Sequence, residues 1–329
     1  MTALAPTLEA YFTERLVHQR QASPNTVAAY RDAWRLLLGF AQQRTTKQPC
    51  QLDISDLDAP LIAAFLTHLE VDRHNCPRTR NARLAAIRSF FAFAALAHPE
   101  HAALIARVLA IPTKRCDKAL VNYLTEPEAD AVTASPDRQR WTGRRDHALL
   151  VVAIQTGLRV SELTGLRNQD VELRTGAHLR CWGKGRKQRS TPLRPGTVAV
   201  LRTWMKERAG IPGDPLFPTS RGTPLSRDAV AALVTKHAAT AAGGQPSLHG
   251  KKVTPHVLRH SCAMALLRGG VDRSVLALWL GHEQVGTTDI YLHSDLTIKE
   301  RALARTTPQH VRPGRYRPPD RLIAFLQDL

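Results

Sequence analysis

Four side chains with phosphate-directed chemistry lie in order within residues 253–293, VTPHVLRHSCAMALLRGGVDRSVLALWLGHEQVGTTDIYLH: His256, Arg259, His282 and Tyr291. Their types and order suit attack on a DNA phosphate, with a phenol as nucleophile beside a guanidinium and two imidazoles. Thr254-Pro255 puts a good N-cap before a proline at the first helical position, so a helix is expected to start here. His256 and Arg259 then fall in its first turn, three apart and on one face. The positive end of the helix dipole and its N–H groups point the same way, which makes an anion site. Singly, each signal has an ordinary reading as well. An HxxR turn is more often a solvated helix start, and a lone tyrosine such as Tyr291 is more often a half-buried aromatic. His256 and His260 have the spacing of zinc ligands, but no glutamate lies between them and no third ligand is evident, so no metal is expected.

The elements that must position these groups are readable on both sides. Ala263, Leu266 and Leu267 would bury the other side of the first helix. A second amphipathic segment, DRSVLALWL, stops at Gly281, with His282 directly after it. Upstream, DHALLVVAIQTGL reads as a buried helix closed by Gly157; Arg159 follows and VSELTGL resumes as a short helix. QDVEL, AHLRCW and RSTPL are short and strand-like, with GKGRKQ as the turn between the last two. That spacing predicts a small antiparallel sheet with Lys184 at a hairpin tip. Thr125 and Glu128 form a capping box, and further helices are expected over 196–209 and 226–241. The basic loop GGQPSLHGKK, with Lys251 and Lys252, leads into the opening motif.

Residues 1 to about 108 read as helices throughout, with apolar residues at three- and four-residue spacing and no strand pattern. Arg78, Arg80, Arg83 and Arg88 surround the fourth helix, either as a solvated face or as a surface lying along a phosphate backbone. IPTKRCDKALVNY then breaks the pattern, and Lys114, Arg115 and Lys118 mark a basic linker between domains. The chain closes on RLIAFLQDL, too short for a stable helix alone, which needs its own body or a neighbouring subunit to dock on.

Charge narrows the class of partner. The 329-residue chain carries 46 Lys+Arg against 28 Asp+Glu, a net charge of +18. A surplus that large favours a polyanion, usually nucleic acid, although a merely basic protein shows the same balance. The length allows two domains with separate cores, and 43% apolar residues is ordinary for a soluble globular protein. Five cysteines (Cys50, Cys76, Cys116, Cys181, Cys262) stand singly, which argues against a disulfide framework or zinc ribbon and fits a reducing cytosol. No secretory signal opens the chain, and no apolar run approaches the roughly 20 residues of a membrane helix, so a soluble cytoplasmic protein is expected.

Arg159 in TGLRVSEL, Lys184 in GKGRKQR, the HVLRH turn, LGH and Tyr291, in this order and spacing, resemble the tyrosine recombinase (phage integrase) family. The helical N-terminal half is similar to that family's core-binding domain, so the resemblance covers nearly the whole chain. The loop before His256 and the long tail look more like recombinases of mobile elements than like the compact Xer type. The resemblance implies a mainly α fold with a small antiparallel β-sheet. It divides the chain into a helical core-binding (SAM-like) domain at 1–108, a basic linker at 109–122 and an α+β catalytic domain at 123–329, with a docking tail over about 305–329.

Phosphodiester attack needs a nucleophile, a clamp on the non-bridging oxygens, a base and an acid. By the resemblance Tyr291 is the nucleophile, and ionising a phenol of pKa about 10 at neutral pH costs roughly 4 kcal/mol. His256 is then the base, Arg159 and Arg259 the bidentate phosphate clamp, and Lys184 the acid for the departing 5′ hydroxyl. His282 matches a position that donates to the phosphate, and Glu162 an acidic residue that supports the first arginine. Arg78, Arg80, Arg83, Arg88, Lys114, Arg115, Arg186, Lys187, Lys251 and Lys252 are candidate DNA contacts. The implied partners are double-stranded DNA recombination sites and other protomers, as a homotetramer on two sites or a heterotetramer with sibling recombinases. No membrane partner is implied, and in the cell the protein would be nucleoid-associated when on DNA. No cofactor is implied, because the 3′-phosphotyrosyl link stores the bond energy.

Two rivals use overlapping features. A type IB topoisomerase has the same clamp and tyrosine but reseals the original strand; the helical N-terminal domain and docking tail favour recombination. A DNA-binding regulator that never cleaves would show a broken catalytic set, whereas all six positions here hold competent residues.

Overall fold

Helix caps and strand alternation account for most of the outline in the computed structural model, which describes residues 3–116, 121–183 and 188–281. The chain divides into two units, Met1–Lys118 and Ala119–Leu329.

The first unit is helical. α1 (Leu4–Ala10) runs directly into a π-helical stretch, Tyr11–Gln19. α2 (Pro24–Thr45) is capped by Ser23, whose Oγ accepts the Thr26 N–H at 3.2 Å. α3 (Ala59–Val71) is capped in the same way by Asp58, which accepts from Leu61 at 2.8 Å. Proline opens α4 (Pro77–Ala97), and α5 (Ala102–Ala110) completes the unit two residues beyond the expected helical limit. Trp34, Phe65, Phe90 and Phe91 are fully buried, and the Trp34 and Phe90 rings meet edge-on at 4.5 Å.

Residues 111–116 form neither helix nor strand, yet they are fastened to α4. Asn81 exchanges two hydrogen bonds with the backbone of Lys114, at 2.7 and 3.0 Å, and Lys114 Nζ pairs with Glu70 at 2.8 Å. The first half of the basic linker is therefore part of the helical unit's surface.

The second unit is α+β. α6 (Glu126–Ala134) starts with the Thr125–Glu128 capping box, and α7 (Trp141–Thr156) ends at Gly157. After the short α8 (Val160–Gly165), β1 (Val171–Glu172), β2 (His178–Trp182) and β3 (Gln188–Pro192) form an antiparallel sheet in chain order. α9 (Pro195–Arg208), α10 (Arg227–Ala242), α11 (Pro255–Arg268) and α12 (Arg273–Leu280) follow. α7 is the central element, packed against both α9 and α11. Its Leu149, Leu150 and Val152 share a core with Leu201, Trp204, Val230 and Val234. Full burial of each such side chain contributes about 1.5–3 kcal/mol. Ala263, Met264, Leu267, Leu276 and Leu280 close a smaller core between α11 and α12. Among the described residues no helix is long and apolar enough to cross a membrane.

Candidate active site

Gly157 ends α7 in the left-handed region, at φ +63, and the chain turns at once into Arg159, the N-cap of α8. Glu162, three residues on, reaches back to it. Oε2 accepts the Arg159 backbone N–H at 2.7 Å, and Oε1 accepts an N–H of the Arg159 guanidinium at 2.9 Å. An orphan donor of the helix start is thereby satisfied by a carboxylate, which the helix dipole also favours.

β3 brings a second guanidinium. Strand alternation exposes Arg180, Trp182, Gln188 and Ser190, and turns Leu179, Cys181, Arg189 and Thr191 the other way. Both terminal nitrogens of Arg189 donate to Glu162, at 2.9 Å to Oε1 and 2.7 Å to Oε2. The buried carboxylate thus accepts four hydrogen bonds from two arginines. Burial pushes its pKa up, but the Arg189 fork, the Arg159 backbone N–H and the Arg159 guanidinium outweigh that and hold it below the ordinary carboxylate value.

α11 brings the third. Thr254 caps it, accepting the Val257 N–H at 3.3 Å, and sets His256 and Arg259 at its start. Arg259 is only 3% exposed. It donates to Gly157 O and to Leu280 O, both at 2.7 Å, so one side chain serves the terminal carbonyls of α7 and α12. Such carbonyls carry the negative end of the helix dipole and lack intrahelical partners. Arg159 donates to the very next carbonyl, Gly281 O, at 2.9 Å. Gly281 is itself left-handed at φ +64, and a Cβ there would lie 2.7 Å from the Arg189 guanidinium. Three guanidiniums from three segments therefore surround Leu280–Gly281. Trp279 Nε1, donating to Thr156 O at 3.1 Å, further fastens α12 to the end of α7.

His256 is exposed on the first turn of α11, its ring 4.4 Å from that of His260 and edge-on to it. Partial desolvation first, then the charges of Arg259 and Arg159, hold its pKa below the 6.5 of an unperturbed histidine. The imidazole is neutral at pH 7 and can accept a proton. The nearby thiols are inert by contrast: burial pushes Cys181 up to about 11 and Cys262 up to about 12.

Residues 122–297 match the Phage integrase family, and residues 10–98 match its N-terminal SAM-like domain. The chain belongs to the phage integrase family. One integrase-family relative, named "Putative integrase/recombinase y4rC" and from Sinorhizobium fredii, is 55% identical over 327 residues, 99% of this chain and 98% of that one. Another, tyrosine recombinase XerD of Pseudomonas putida, is 33% identical over 300 residues, 89% and 94% of the two chains. Among solved structures, the XerH site-specific recombinase bound to palindromic difH substrate in a post-cleavage complex shares the fold. Its TM-score is 0.67 at 21% identity, over 87% of this chain and 81% of that one. The mainly helical fold with a small antiparallel sheet is the tyrosine recombinase fold, and site-specific recombination is the reaction class of this integrase.

Of the integrase residues singled out from the sequence, Arg159, Glu162, His256 and Arg259 occupy the places just described. Lys184, Arg186, Lys187, His282, Tyr291 and the tail segment lie outside the described residues. Among the DNA-contact candidates Arg80 is corrected. It is 7% exposed, because it continues the buried stripe of Leu84, Ile87 and Phe91 on α4, and its guanidinium donates to Pro112 O at 2.9 Å. Its guanidinium is committed to fastening the linker rather than lying free along the surface. Arg83 donates to Ala29 O and Arg88 to Ile111 O, while Lys251 pairs with Glu128 at 2.7 Å. Arg78, Arg115 and Lys252 are exposed. Arg189 was missed by sequence reasoning, because its place opposite Cys181 appears only once the strand register is known.

Proposed function

We propose that the chain is a DNA strand transferase that cleaves and rejoins recombination sites through a 3′-phosphotyrosyl link on Tyr291. One observation carries this reading: Arg159 and Arg259 converge on the carbonyls of Gly281 and Leu280, the residues directly before His282 in the sequence. A pair of guanidiniums so placed suits bidentate contact with a scissile phosphate, with neutral His256 at the start of the helix that carries Arg259.

In the proposed step His256 takes the phenolic proton as the Tyr291 oxygen attacks phosphorus. The bond to the 5′ oxygen breaks, and Lys184 protonates that leaving group. Arg159, Arg259 and His282 stabilise the charge that builds on the non-bridging oxygens. The reverse step, with a 5′ hydroxyl of a partner duplex, completes one exchange. Two rounds call for four protomers on two sites, as a homotetramer or with sibling recombinases, and the basic surface supplies affinity for phosphate without reading sequence. The relatives, named as an integrase/recombinase and XerD, support the same class of reaction, and the basic loop before His256 together with the long tail suits a mobile element.

The test is a plasmid carrying two copies of a site that the full chain selects from fragmented genomic DNA. Recombinant products are expected. Relaxation of a supercoiled one-site plasmid with no recombinant product from the two-site plasmid would replace this reading with a topoisomerase.

A further inference from the structure

Arg189 occupies a position where the strand pattern asks for an apolar residue. Its cross-strand partner Cys181 and its neighbours Leu179 and Thr191 on the same face are all buried. A guanidinium at such a place, with its side chain 12% exposed, carries a desolvation cost that only close pairing offsets. The pairing is a bidentate fork on Glu162, at 2.9 and 2.7 Å.

The division of the Glu162 carboxylate decides what Arg159 can do. Both oxygens are taken by the two terminal nitrogens of Arg189, and Arg159 reaches the carboxylate through one guanidinium nitrogen and its backbone N–H. The other terminal nitrogen of Arg159 lies on Gly281 O, and 31% of the side chain stays exposed. Without Arg189, a buried carboxylate with two vacant acceptor sites would draw Arg159 into the fork geometry and away from Gly281. The charges point the same way: two guanidiniums on one carboxylate leave a net positive charge, whereas Arg159 and Glu162 alone sum to zero. Arg189 also packs directly against Gly281, the residue whose carbonyl Arg159 holds.

We propose that Arg189 is a positioning residue for strand cleavage. It takes the bidentate side of Glu162, so that Arg159 stays turned toward Gly281 with donors left for the scissile phosphate. The inference rests on the reading of Arg159 as a phosphate ligand and of Tyr291 as the nucleophile.

The experiment uses the full chain and a nicked duplex built on a site the wild-type chain selects from genomic fragments. It measures single-turnover formation of the covalent adduct, together with binding of the same duplex by gel shift. Arg189→Met is expected to bind DNA normally and form adduct about 30-fold more slowly, within the ~100-fold that a small misplacement of a catalytic group costs. Arg189→Lys, which keeps the charge but not the fork, is expected to recover part of that loss. Adding Glu162→Gln to Arg189→Met removes the unbalanced carboxylate and is expected to raise the rate again, which a merely structural role does not produce. Losses that multiply in the double variant, or a wild-type rate in Arg189→Met, would overturn the proposal. Should the methionine variant fail to fold, a wild-type adduct rate in Arg189→Lys overturns it equally. Absence of any adduct with the wild-type chain sinks the Tyr291 reading itself, and this inference with it.

Discussion

Arg159 and Arg259 donate to neighbouring carbonyls, Arg159 to Gly281 at 2.9 Å and Arg259 to Leu280 at 2.7 Å. One arginine leaves α7 and the other sits within α11, so the end of α12 is the joint that registers them against each other. The two are not equivalent. Arg259 is nearly sealed and also carries Gly157 O, while Arg159 keeps a partly exposed guanidinium.

Replacing the two arginines should therefore separate stability from chemistry. Arg259→Ala strips the donor from two helix-terminal carbonyls, and leaving both unpaired is expected to cost about 2–6 kcal/mol. Arg159→Ala is expected to cost less than ~2 kcal/mol while abolishing cleavage. Urea unfolding of both variants checks this, and equal losses would contradict the difference in burial.

Cleavage should stay active into mildly acidic solution. His256 is held below 6.5 by partial desolvation and by the Arg259 and Arg159 charges, so its neutral, proton-accepting form persists to lower pH than that of an unperturbed histidine. The pH–rate profile of adduct formation is expected to show an acid limb with its midpoint below 6.5, absent from the residual rate of His256→Gln. A midpoint above 6.5 would mean that the site stabilises the protonated imidazole and would contradict the lowered pKa of His256.

Gly281 should be intolerant of a side chain for two separable reasons. The left-handed backbone costs about 1–2 kcal/mol for any L-residue, and a Cβ would press on Arg189 at 2.7 Å. Gly222, at φ +81 with nothing within 4 Å, carries only the first cost. Gly281→Ala is thus expected to destabilise by ~1 kcal/mol more than Gly222→Ala and to slow cleavage, since the Arg189 end of the fork is pinned. Matching melting temperatures for the two variants would remove the contact from the explanation.

Two adjacent lysines should behave differently on DNA. Lys251 holds the buried Glu128 at 2.7 and 2.8 Å, so Lys251→Ala is expected to lower stability by ~1–3 kcal/mol and leave the salt dependence of binding unchanged. Lys252 is exposed, and its removal is expected to reduce the slope of log affinity against log salt by about 1. Binding isotherms across a salt series decide between them, and the reverse pattern would reassign the pair.

Local rules carried far in this chain. Ser23, Asp58, Thr125 and Thr254 sit where capping chemistry requires, and the strand–turn–strand spacing yields the three-stranded sheet. The burial of Arg259 was not legible, because a first-turn arginine reads as solvated until the ends of α7 and α12 are known to meet there. Arg80 was legible in principle: the stripe of 80, 84, 87 and 91 is one helix face, and its charge masked that periodicity. Arg189 needed the strand register, which depends on the length of a hairpin turn that composition alone does not set.

The most direct measurement is the mass of the peptide that becomes joined to DNA when the full chain meets a nicked duplex of its selected site. The expected product is the Tyr291 peptide bearing a 3′-phosphate-linked strand, lost in Tyr291→Phe and in Arg159→Ala while DNA binding persists. An adduct on another tyrosine, or one that survives in Tyr291→Phe, would contradict the assignment of nucleophile on which the whole reading turns.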